Sequence, residues 1–128
     1  MPANFLMNRL MNSGNVYQGP AKRVLCVCSA GVLRSPTAAW VLSNEPYNFN
    51  TRAAGVTEEF ALVPVDEVLL HWADEIVVMD ERQAQIVRER LKEQTPIVVL
   101  NIPDIYGFRD PDLVNLIRER YGEATSEV

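Results

Sequence analysis

Arg23-Val24-Leu25-Cys26-Val27-Cys28-Ser29-Ala30-Gly31-Val32-Leu33-Arg34-Ser35-Pro36 is the stretch from which the rest of this chain is read. Residues 23–27 form a short apolar run, rich in β-branched side chains and without helical period, so they predict a buried strand. That strand delivers Cys28 at its carboxyl end, the side on which open α/β sheets bind ligands. Small residues and one glycine follow, and then Ser35-Pro36, with Ser35 at the expected N-cap and Pro36 at the first helical position. The stretch therefore predicts a strand, a tight loop and a helix N-terminus in succession.

Successive backbone N–H groups in such a loop make a concave anion site, reinforced by the positive end of the helix dipole. The predicted phosphate cradle comprises Ser29, Ala30, Gly31, Val32, Leu33 and Arg34. A free thiol titrates near ~8.5, and helix N-termini and cationic neighbours lower that value. Cys28 at the start of the cradle is thus placed as a nucleophile, and Arg34 adds a planar fork suited to two phosphoryl oxygens. Apart from this context, a cysteine at a strand end reads as a small buried hydrophobe.

The rest of the chain alternates. Strands are predicted at 23–28, 49–54, 75–79 and 97–102, and helices at 36–44, Val65 to Trp72, 81–93 and 111–121. Strands alternating with helices give βαβ units and a parallel sheet covered on both faces. Residues 1–20, rich in Asn and Met and ending in Gly19-Pro20, read as an N-terminal arm, with the domain proper at 21–128. The apolar Phe5, Leu6, Leu10 and Met11 of that arm suggest a homodimer contact. Trp40 and Trp72 are expected in the core. Arg82, Arg88, Glu89, Arg90, Lys92 and Glu93 read as a solvated helix face, and His71 as a packing or surface residue.

Cys28-Ser-Ala-Gly-Val-Leu-Arg34-Ser35-Pro36 resembles the active-site loop of the low-molecular-weight protein tyrosine phosphatases, whose fold is shared by one class of arsenate reductases. Three further segments resemble that family in order: Arg52-Ala53-Ala54-Gly55-Val56-Thr57, Ala73-Asp74-Glu75-Ile76-Val77-Val78-Met79-Asp80, and Ile102-Pro103-Asp104-Ile105-Tyr106-Gly107. The resemblance spans residues 22 to 121 and implies an α/β three-layer sandwich with a four-stranded parallel sheet in the order 2-1-3-4. Three departures stand out. Gly31 occupies the position of a loop-bracing Asn, Ile105 replaces a Pro, and the segment from Gly55 to Ala73 is short for the family.

Departure of an alkoxide or aryl oxide needs a proton donor, and two late aspartates compete for that role. Asp110-Pro111 opens the periodic run Leu113, Leu116, Ile117, so its plain reading is a helix cap. The resemblance places Asp104 on the family's acid and Tyr106 on the aromatic that flanks the substrate ring; Phe60 is expected either as a second wall or as a core residue of the shortened loop. Ser35 is expected to donate a hydrogen bond to Cys28.

At 128 residues the chain has room for one core. Its 12 Lys+Arg against 17 Asp+Glu give a net charge of -5, which argues against nonspecific nucleic-acid binding. No stretch approaches the ~18 apolar residues of a membrane span, and the expectation is a cytoplasmic protein without membrane attachment. No Cys/His/carboxylate cluster has metal-ligand spacing, and no cofactor is implied. Cys26 and Cys28 are the two cysteines and share one strand face; Cys26 reads as core, with transient protection of Cys28 as the alternative. With no cysteine after Cys28, a thioredoxin-coupled reductase relay is disfavoured.

The expected activity is hydrolysis of phosphomonoesters through a phosphocysteine, with catalytic Cys28, Arg34, Ser35 and Asp104. The expected substrate is a phosphorylated protein, most simply at tyrosine, or a small aryl phosphate. Three alternatives remain. A cysteine phosphocarrier, as in sugar-transport IIB domains, shares Cys28 to Gly31 but lacks the arginine and the late acid. A glutaredoxin-coupled arsenate reductase shares the fold. A phosphate-binding regulator with weak or no turnover accommodates Gly31 and Ile105.

Overall fold

The computed structural model describes residues 21–29, 34–56 and 64–125. The elements run β1 (Arg23–Cys28), α1 (Arg34–Ser43), β2 (Asn50–Gly55), α2 (Glu67–Trp72), β3 (Glu75–Val78), α3 (Glu81–Arg90), β4 (Ile97–Val99) and α4 (Pro111–Thr125). The four strands form one parallel sheet in the order β2-β1-β3-β4. Cys28 pairs with Gly55 on one side, and Val27 with Val78 on the other.

Alternation along β1 builds the three layers. Val24, Cys26 and Cys28 face α1 and α4, where Ala38, Leu42, Leu113, Ile117 and Tyr121 close one apolar cluster. Leu25 and Val27 face α2 and α3 and pack with Leu69, Leu70, Ala84 and Val87 in a second. Leu25, Leu42, Leu69, Ile76, Leu113 and Ile117 are buried without residual exposure, each stabilising the fold by roughly 1.5–3 kcal/mol. Burial of Cys26 in the first cluster, with Glu75 and Cys28 nearby, pushes its thiol well above the ordinary range.

Several boundaries differ from the sequence reading, each for a local reason. Helix α1 includes Arg34, so Ser35 lies inside its first turn and not at the cap. Val65 is outside α2: its N–H bonds Gly55 O at 2.9 Å beside the Gly55–Pro64 bridge, and Asp66 caps the helix by accepting from Leu69 N. Helix α3 stops at Arg90, where Leu91 turns extended and packs on the second cluster. Strand β4 ends at Val99, because Asn101 takes the left-handed conformation (φ 57°), which Asn tolerates better than most residues.

Trp40 and Trp72 are half-buried, not core: Arg109 lies 4.5 Å from the Trp40 ring centroid and Arg52 4.7 Å from that of Trp72. The expected solvated face of α3 is also partly engaged, since Arg90 donates to Val65 O at 2.8 Å and Arg82 to Ser29 Oγ at 3.2 Å. His71 is exposed and stands 3.2 Å from Glu93. Among the described residues no helix is long and apolar enough to cross a membrane. The predicted arm, residues 1–20, lies outside the described residues.

Candidate active site

In the order β2-β1-β3-β4, the connection after β1 runs to β2 at one edge of the sheet and that after β3 runs to β4 at the other. The topological switch point therefore lies between the carboxyl ends of β1 and β3, where a crevice opens. Cys28 ends β1 at that point and is 3 % exposed. Its Sγ lies 3.1 Å from Oγ of Ser35, which is fully buried in α1. Ser35 Oγ can also donate to Ala54 O at 3.4 Å. One hydroxyl proton thus serves two acceptors: it sits on the carbonyl when the thiol donates to Ser35, and turns to the sulfur when Cys28 is a thiolate.

Arg34 is 3 % exposed, at the first turn of α1. Its Nη1 donates to Ile102 O at 2.7 Å, and its Nε lies 3.5 Å from Asp104 Oδ1. The chain after β4 makes this possible. Leu100 N bonds Val78 O at 3.0 Å and Ile102 N bonds Met79 O at 2.9 Å, so the segment stays fastened to β3 while Asn101 turns it. The Ile102 carbonyl is thereby aimed at the guanidinium, and Asp104 follows two residues later.

Ser29, Arg34, Asp80, Asn101, Ile102, Pro103 and Asp104 line a cleft of about 440 Å³. Cys28 is not itself among the described lining residues and stands directly behind them, bonded in the chain to Ser29 and hydrogen-bonded to Ser35, the residue after Arg34. Asp110 lies apart from this wall. Its carboxylate accepts from Asp112 N at 2.9 Å and its carbonyl from Val114 N, which makes it the cap of α4. Tyr106, expected as a substrate wall, is half-buried against the α1/α4 core cluster and is not among the described residues lining the cleft. Ala30, Gly31, Val32, Leu33 and Phe60 lie outside the described residues.

Three residues at this site were missed from sequence. Asp80 lines the cleft and caps α3, accepting from Gln83 N at 2.9 Å. Gln83, fully buried, links Met79 N to Ser29 Oγ, and Arg82 reaches the same hydroxyl. The available signal was Asp80-x-x-Gln83, the spacing of a helix cap with an amide three residues on. Among the described residues no group of three or more His, Cys, Asp or Glu side chains is arranged to hold a metal ion.

No protein-family model matches the chain, and no curated protein matches it. Solved structures do. The tyrosine phosphatase Wzb from Escherichia coli K30, in complex with phosphate, superposes with a TM-score of 0.63 at 16% identity over 83% of this chain and 99% of that one. A low-molecular-weight protein tyrosine phosphatase from Bacillus subtilis gives 0.56 at 21% identity over 80% and 91%. The arginine phosphatase YwlE gives 0.58 at 19% over 82% and 97%. With these superpositions and a parallel sheet in the order β2-β1-β3-β4, the chain has the fold of the low-molecular-weight protein tyrosine phosphatases.

Proposed function

We propose that the chain is a cysteine-dependent phosphohydrolase acting through a phosphocysteine. The observation that carries this reading is a cleft lined by the buried Arg34 and, 3.5 Å from it, the exposed side chain of Asp104, with Cys28, held by Ser35 at 3.1 Å, next in the chain to the cleft residue Ser29. The phosphoryl group docks on the loop and Arg34. Cys28 Sγ attacks phosphorus in line as the thiolate, forming the S–P bond as the P–O bond breaks, and Asp104, which enters this step as the carboxylic acid, gives its proton to the leaving oxygen. Water, deprotonated by the same Asp104, then cleaves the S–P bond and releases phosphate. Arg34 follows the equatorial oxygens through both steps, and the Ser35 hydroxyl supports the departing thiolate.

Phosphotyrosine in a protein, or a small aryl phosphate, is the first substrate class. A second reading, phosphoarginine, rests on the two carboxylates Asp80 and Asp104 in the cleft wall, which suit a cationic leaving group, and one structural neighbour is an arginine phosphatase. Steady-state release of phosphate from para-nitrophenyl phosphate and from phosphoarginine, with Cys28→Ser as the blank, tests both. Turnover of either that vanishes in the blank supports the hydrolase and ranks the substrates. A phosphocysteine that accumulates without turnover supports the carrier instead, and arsenate-dependent consumption of glutathione in the presence of glutaredoxin supports the reductase.

A further inference from the structure

We infer that the Ser29 hydroxyl is a phosphate-binding donor held in its working orientation by Gln83 and Arg82, an inference that rests on the proposed phosphate site. Gln83 has no residual exposure, and both ends of its amide are engaged. Its Oε1 lies 2.8 Å from Met79 N, a backbone group that can only donate, so the orientation of the amide is fixed and Nε2 faces Ser29 Oγ at 3.2 Å. An amide nitrogen cannot accept, so in this contact Ser29 is the acceptor. Arg82 Nη2 meets the same oxygen at 3.2 Å, and a guanidinium cannot accept either.

A serine oxygen has two lone pairs, and these two donors occupy both. The hydroxyl proton is left for a third direction, and Ser29 lines the cleft directly after Cys28. Donation into Ser29 from a buried amide and a cation also polarises its O–H and strengthens it as a donor. Ser29 thus adds a side-chain donor beside Arg34. Gln83 and Arg82 are positioning residues that act through it.

The test is binding of inorganic phosphate by calorimetry, together with hydrolysis of para-nitrophenyl phosphate, in the full chain. Hydrogen bonds to charged groups predict that Ser29→Ala weakens phosphate binding roughly ten- to hundred-fold and that Ser29→Thr, which keeps the hydroxyl, restores most of it. In Gln83→Glu the carboxylate attracts the Ser29 proton away from the cleft, so phosphate binding weakens there too. If the effect runs through Ser29, the Ser29→Ala/Gln83→Glu double variant loses clearly less than the product of the two single losses. A structural role alone lowers the melting temperature without this coupling. Should Gln83→Glu fail to fold, the Ser29→Ala and Ser29→Thr pair decides by itself. The inference is overturned if folded Ser29→Ala binds phosphate as the parent does, or if the losses simply multiply. If the parent chain itself neither binds phosphate nor turns over the aryl ester, the phosphate site falls and this inference with it.

Discussion

Asp104 presents an exposed carboxylate 3.5 Å from the Nε of Arg34, a guanidinium almost wholly withdrawn from solvent. The asymmetry suits the phosphoryl transfer proposed above. The arginine is locked by the Ile102 carbonyl and needs no reorganisation as charge builds on phosphorus. The carboxylate, free at its outer side, can meet a leaving group and later a water.

The two late aspartates separate by experiment. Asp104→Asn is expected to lower kcat for an aryl phosphate by about 10²–10⁴, the usual contribution of a general acid. Asp110→Ala removes the α4 cap and should cost about 0.5–2 kcal/mol of stability while leaving turnover close to the parent value. Urea denaturation and steady-state kinetics on both variants check this, and the reverse pattern would exchange the roles.

Arg34→Lys keeps the charge but loses the planar fork, so its ammonium cannot hold two phosphoryl oxygens and the Ile102 carbonyl together. We expect a fall in kcat/KM of about 10²–10³ or more, by analogy with loss of one preorganised donor to a developing oxyanion. A variant retaining more than a tenth of parental kcat/KM would show that the fork is not used.

Ser35→Ala removes the one proton shared between Cys28 Sγ and Ala54 O. Because the departing thiolate then has no hydroxyl to receive it, breakdown of the phosphocysteine should slow more than its formation. Rapid mixing with para-nitrophenyl phosphate should give a nitrophenolate burst in Ser35→Ala larger than in the parent, with stability lowered by about 1 kcal/mol. Equal bursts would place the role of Ser35 elsewhere.

The half of the site that lies on one continuous segment was legible in the sequence, because strand, cysteine, arginine and helix start follow one another with their own local signals. Asp104 came from resemblance and from the competing cap signal at Asp110. The Ile102 carbonyl and Asn101 turn were not legible: the apolar run from Ile97 reads as strand through 102, and only the left-handed Asn101 shows where the regular strand ends. Gln83 was hidden for a different reason. Between Arg82 and the charged tail of α3 it carries the polarity of a solvated face, yet it is fully buried and its amide bonds Met79 N and, distant in sequence, Ser29 Oγ. Trp40 and Trp72 misled by size: each packs against a core cluster but stays half-buried, with an arginine over its ring.

At the other end of the sheet, Glu75 is buried with Tyr121 Oη donating to one oxygen at 2.7 Å and Lys22 Nζ 2.8 Å from the other. Burial first, and then the Glu75 carboxylate, push the Tyr121 phenol well above its ordinary value. The folded chain therefore keeps a proton that the unfolded chain releases above about pH 10, and stability falls as pH rises beyond that point. Tyr121→Phe removes this dependence and leaves Glu75 short of one donor, at a cost of about 1.5–3 kcal/mol at neutral pH. Denaturant titrations from pH 7 to 11.5 should show Tyr121→Phe less stable throughout the neutral range, with the gap to the parent narrowing above about pH 10. A gap that stays constant to pH 11.5 would mean that the phenol does not hold its proton in the folded chain more tightly than in the unfolded one.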